Sequence, residues 1–157
     1  MKNLRTSLLC AGVILISLCS SAQNKAVPIN EPNYDKAKLF QNLPNTVSLT
    51  ADKLNTLLNK PIGNAVNVDF SDNASFRLEG QVISTATQPD GKLQTSVIRS
   101  TNFNGANLTI SRVTHEDGTI SYTGRLINFK SGDLFELQTR NGQLMLVKRN
   151  YNDLVNE

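Results

Sequence analysis

The chain has 157 residues, 39% hydrophobic and 6% aromatic, with 16 basic and 13 acidic side chains, two cysteines and one histidine. That length supports one domain with a core of its own. The formal charge of +3 is spread along the chain with no basic cluster, which argues against a nucleic-acid footprint.

The first 22 residues read as a cleavable signal peptide. Lys2 and Arg5 form a positive start, Leu8 to Ile16 an apolar run, and Ser20-Ser21-Ala22 a small-residue site cut between Ala22 and Gln23. The apolar run is shorter than the ~20 residues of a membrane-spanning helix. Leu18 before Cys19 disfavours a lipid anchor, because lipidation needs a small residue there. Without Lys2 and Arg5, 14 basic residues remain against all 13 acidic ones, a formal charge of +1. Cys10 and Cys19 leave with the leader, so the mature chain has no thiol for a disulfide, a zinc site or a nucleophile. The expected location is periplasmic or extracellular, with no stable membrane span after cleavage.

Residues 23–45 read as a linker or N-terminal arm. Pro28, Pro32 and Pro44 interrupt it, and Leu39-Phe40 is its one adjacent bulky pair, able to dock on the domain. Residues 46–157 read as a single β-rich domain. Its helix signal starts at Thr50, a suitable N-cap, with Asp52 at the positive end of the helix dipole. Ala51, Leu54, Leu57 and Leu58 share one face, and Pro61 and Gly63 end the helix. That stripe is expected to pack on a sheet.

From Ala65 the period becomes two. Strands are expected around Val66–Phe70, Phe76–Val82, Leu93–Ser100, Leu108–Val113, Thr119–Phe129, Leu134–Thr139 and Gln143–Arg149. Pro89-Asp90-Gly91, His115 to Gly118, Lys130 to Asp133 and Asn141-Gly142 supply turns. The expected fold is mostly β: an antiparallel meander of about seven strands closed as a small barrel or sandwich, with one short N-terminal helix. Val68, Phe76, Leu78, Val97, Ile110, Tyr122, Leu126 and Leu146 are its expected inward set. Phe76 to Ile83 and Ile120 to Ile127 repeat one pattern with Gly80 and Gly124 in equivalent places. A mid-strand glycine marks a bend or a close backbone approach.

The chemistry is sparse. His115, beside Glu116 and Asp117, sits in a turn whose consecutive residues do not converge on one ion, so a solvated hairpin is the simpler reading. No His-Glu-x-x-His, Gly-x-Ser-x-Gly or phosphate-cradling loop occurs. Asp69, Glu79, Asp133 and Glu136 read as outward strand or turn carboxylates that nothing in the sequence pairs. Arg77, Arg99, Arg112 and Arg125 read as single charges on solvated strand faces. No catalytic, metal or cofactor set is therefore expected. Asn102-Phe103-Asn104 is the one candidate contact loop, an aromatic between amides; Phe103 would otherwise plug an end of the barrel. The expectation is an exported, non-catalytic β module that binds a protein, peptide or small ligand and no nucleic acid. A surface-assembly component working through edge strands is the alternative, and an accessory, pro-domain-like module of a secreted enzyme a second one.

Overall fold

The computed structural model describes residues 36–70 and 76–155. The leader, its cut between Ala22 and Gln23 and the first part of the arm lie outside the described residues. Eight antiparallel strands form one curled half-barrel sheet. They are β1 (Thr46–Leu49), β2 (Ala65–Asp69), β3 (Arg77–Thr87), β4 (Leu93–Ser100), β5 (Asn107–Thr114), β6 (Ile120–Ile127), β7 (Asp133–Arg140) and β8 (Gln143–Asn150). The spatial order is β1-β8-β7-β6-β5-β4-β3-β2. From β2 to β8 this is the expected meander. The eighth strand is β1, where four residues alternate exposed and buried and Val47 and Leu49 face inward. It has no turn partner nearby in the chain and pairs instead with β8, Thr46 opposite Val147.

Among the described residues two short helices join the sheet, α1 (Ala51–Leu58) and α2 (Tyr151–Val155). Thr50 caps α1, its side chain accepting the Lys53 N–H at 3.4 Å. Leu54, Leu57 and Leu58 are buried, while Ala51, expected on the same face, is exposed. Two long-range bonds hold α1 across one end of the half-barrel. Tyr122 donates its hydroxyl to Asn55 Oδ1 at 2.9 Å, and Gln94 Nε2 donates to the Leu58 carbonyl at 3.0 Å.

Phenylalanines fill the other end. Phe40 meets Phe103 and Phe135 with ring centres 5.4 Å apart, and Phe76 lies 4.8 Å from Phe135 and 5.3 Å from Phe70. Each fully buried ring contributes roughly 1.5–3 kcal/mol of apolar transfer. Phe40 belongs to the arm, so the arm contributes one buried ring to the core, with Leu39 and Leu43 partly buried against it. The space left in the apolar interior is about 10 Å3, too little for a ligand.

Gly80 and Gly124 do the same work. A Cβ on Gly80 would lie 2.3 Å from the Arg99 carbonyl oxygen, and one on Gly124 would lie 2.5 Å from that of Thr109. In both places the neighbouring strand crosses too close for any side chain.

The expected inward set holds at Phe76, Leu78, Ile110, Tyr122, Leu126 and Leu146, all buried. It fails at Val97. Ser96, Ile98 and Ser100 are the buried residues of β4, and Val97 lies on the outer face. In β2 the buried residue is Val66, with Val68 only partly covered. Two inward serines conceal the face of β4, because a buried hydroxyl reads as polar. Asp133 is a further correction: it is 1% exposed, where an outward carboxylate was expected.

Candidate functional site

The strands β6 and β7 pair over only part of their length, from Ile127 opposite Leu134 to Gly124 opposite Leu137. Beyond Gly124, Ile120 to Thr123 pair with β5 alone, and Gln138 to Arg140 pair with β8 alone. The outer face is grooved beside this divergence. Thr109, Ser111, Thr123, Arg125, Glu136 and Phe129 line a shallow depression of about 510 Å3. The alternation of β5, β6 and β7 sends Thr109, Ser111, Thr123, Arg125 and Glu136 outward, while Ile110, Tyr122 and Leu126 between them go to the core; Phe129 follows in the turn after β6.

A row of polar contacts starts in the groove at Arg125 and Glu136 and runs on along β7. Arg125 Nη2 donates to Glu136 Oε1 at 3.0 Å, Gln138 Nε2 donates to Glu136 Oε2 at 2.8 Å, and Arg140 Nε donates to Gln138 Oε1 at 3.1 Å. Burial pushes the Glu136 carboxyl up. The bonds from Gln138 and Arg125 and the Arg125 and Arg149 charges outweigh that and hold it below the ordinary carboxylate value. Glu136 is therefore an ionised acceptor with both oxygens engaged, a poor general base. Ser111 Oγ is bonded to Thr95 Oγ1 at 2.9 Å.

Phe129 stands at the rim, 67% exposed. Its carbonyl accepts from Lys36 Nζ at 3.1 Å, and its ring meets Tyr151 edge-on at 6.5 Å. Sequence reasoning placed the candidate aromatic contact at Phe103 instead. In the structure Phe103 is half-buried and packs edge-on against Phe40 and Phe76. Asn102 ties its loop down: Oδ1 accepts the Glu79 N–H at 3.0 Å and Nδ2 donates to the Arg77 carbonyl at 2.8 Å. Asn104 is exposed, and its carbonyl accepts from Asn128 Nδ2 at 2.9 Å. These three residues thus stay together at the aromatic end, and none of them lines the groove.

The remaining ionisable groups are scattered. Arg77 pairs with Asp69 at 2.8 Å on the surface. Arg112 departs from the expected solvated face: its Nε is enclosed with no hydrogen-bond partner among the described residues. His115 Nε2 is bonded to Ser121 Oγ at 2.9 Å on an exposed hairpin. The adjacent Asp117 carboxylate is engaged by Thr119 rather than by the imidazole. Activation of such a serine needs a third group that orients the ring, and among the described residues none is bonded to the other ring nitrogen. Among the described residues no three His, Cys, Asp or Glu side chains gather to hold a metal ion, and no helix is long and apolar enough to cross a membrane. No protein-family model, curated protein or solved structure matches the chain.

Proposed function

We propose that this chain is an exported, non-catalytic β module that binds a protein or peptide partner on the outer face of its sheet, at the groove beside β6 and β7. One observation carries the reading: the interior is filled by its own side chains, whereas the outer face offers a depression of about 510 Å3. Small-molecule pockets enclose 70–90% of their ligand, and an open surface groove suits an extended or macromolecular partner better. The hydroxyls of Thr109 and Thr123 and the Arg125–Glu136 row supply polar contacts, and the exposed Phe129 ring supplies an apolar one. Aromatic and arginine side chains are the usual energetic anchors of such surfaces. Export rests on the leader that ends at Ala22.

The test is capture from periplasmic and culture fractions with the wild-type protein, Arg125→Ala, Phe129→Ala and, as a control, Arg77→Ala. A partner retained by the wild type and the control, and lost with the two groove variants, is the expected result. Retention indifferent to both groove substitutions would remove the groove from consideration.

A further inference from the structure

We infer that the free margin of β3, from Ser84 to Thr87, pairs with the same margin of a second copy of the chain. The inference is independent of the groove, which lies on another part of the sheet. Strand β2 covers β3 only from Arg77 to Gln81, and Gly63 and Asn64 extend that cover to Val82. The register then shifts between Val82 and Ser84. Beyond that bulge β3 continues as far as Thr87 paired with β4 alone, and Ser84 to Thr87 are all exposed.

The bulge also decides which backbone groups are free. The Gln88 N–H donates to the Leu93 carbonyl at 2.9 Å, so Gln88, Ala86 and Ser84 point their backbone groups at β4. By the alternation of an antiparallel ladder, Thr85 and Thr87 point theirs away. Among the described residues nothing pairs with those two N–H and two C=O groups.

Three features select a second copy as the occupant. The edge is self-complementary: with Ala86 on a two-fold axis, Thr85 of each copy faces Thr87 of the other, and four backbone hydrogen bonds close. No charged residue occurs from Val82 to Pro89, so self-pairing sets no like charges opposite one another, and the charged side chains that usually protect an edge are missing. The side chains agree with this register, since two threonine pairs and two alanine methyls meet, and threonine pairs across strands are favourable. The contact is isologous, as closed dimers require. Its strip is short of the roughly 1,000 Å2 of a stable interface, so the dimer should form on the order of 10⁻⁴ M.

Sedimentation velocity of the purified protein from about 10 µM to about 1 mM tests it, with Ala86→Lys, which sets two charges face to face, and Thr46→Lys on the β1 edge as a control. Wild type and control should dimerise with rising concentration, and Ala86→Lys should weaken association on the order of tenfold. Mild oxidation of Ala86→Cys should link two chains through position 86, because a non-hydrogen-bonded pair brings Cα atoms to about 4.5 Å. A protein monomeric throughout, a dimer untouched by Ala86→Lys, or no link through position 86 each overturns the inference. Groove-dependent capture of a partner is unaffected by Ala86→Lys if both readings hold.

Discussion

The carboxylate of Asp133 accepts the backbone N–H of Leu39 at 2.7 Å and that of Phe40 at 2.9 Å. Nearly a hundred residues separate the partners, so one buried side chain fastens the arm to β7 and sets the Phe40 ring between Phe103 and Phe135. Lys148 completes the fastening by donating to the Leu43 carbonyl. Its ammonium is held below the ordinary lysine value by burial, against the pull of Asp133.

Asp133→Ala should cost about 2–4 kcal/mol, because two enclosed N–H groups lose their acceptor. Asp133→Asn keeps one acceptor and should cost less. Urea unfolding measures both. Equal midpoints for wild type and Asp133→Ala would mean the arm contributes nothing to the fold.

The close strand approaches predict that Gly80→Ala and Gly124→Ala each destabilise by about 1–3 kcal/mol, since the obstruction is backbone and a strand must shift. Ser84→Ala, on an exposed part of β3, is the reference and should stay within about 0.5 kcal/mol. Thermal midpoints of the three variants rank the effect. Alanine at either glycine without loss would contradict the geometry.

Phe76, just before β3, and the two faces of β4 give a third comparison. Phe76→Ala should cost about 3–5 kcal/mol and Ile98→Ala about 2–5, both side chains being fully enclosed. Val97→Ala, on the outer face, should cost under about 1 kcal/mol. A larger loss at Val97 than at Ile98 would put β4 the other way round.

Acid should act partly through Glu136. Its folded pKa is depressed, so its stabilising contribution is complete above the unfolded value of about 4.3 and is lost as pH falls through the lower folded value. Asp69, bonded to Arg77, and Asp117, bonded to Thr119, shift the same way. Between about pH 5 and pH 2 the midpoint of Glu136→Gln should therefore fall less than that of the wild type. Parallel pH profiles would show that the Arg125 pair does not stabilise the fold.

Processing is checked by intact mass. The charged start, apolar run and small-residue site before Gln23 predict an exported chain beginning at Gln23. A retained leader, or lipid on Cys19, would be seen directly in the mass.

Local signals carried much of this protein. Thr50 with the Leu54, Leu57 and Leu58 spacing specified α1, and the turn residues at Pro89 to Gly91 and Asn141-Gly142 specified where strands reverse, because caps and tight turns are satisfied by neighbours in the chain. The paired glycines signalled a bend or a close backbone approach, while the strands that approach them, at Arg99 and Thr109, were set by the sheet pairing. The groove was legible only in pieces: Arg125 and Glu136 were visible as outward charges, but their pairing depends on the register of β6 against β7. Tertiary structure alone decided that β1 is a strand, that Ser96 and not Val97 faces inward, that Asp133 is buried under the arm, and that Phe129 rather than Phe103 is the exposed ring. Each of those depends on which distant segment lies opposite, and a sequence read locally holds the alternation of a strand but not the identity of the neighbour that buries one of its faces.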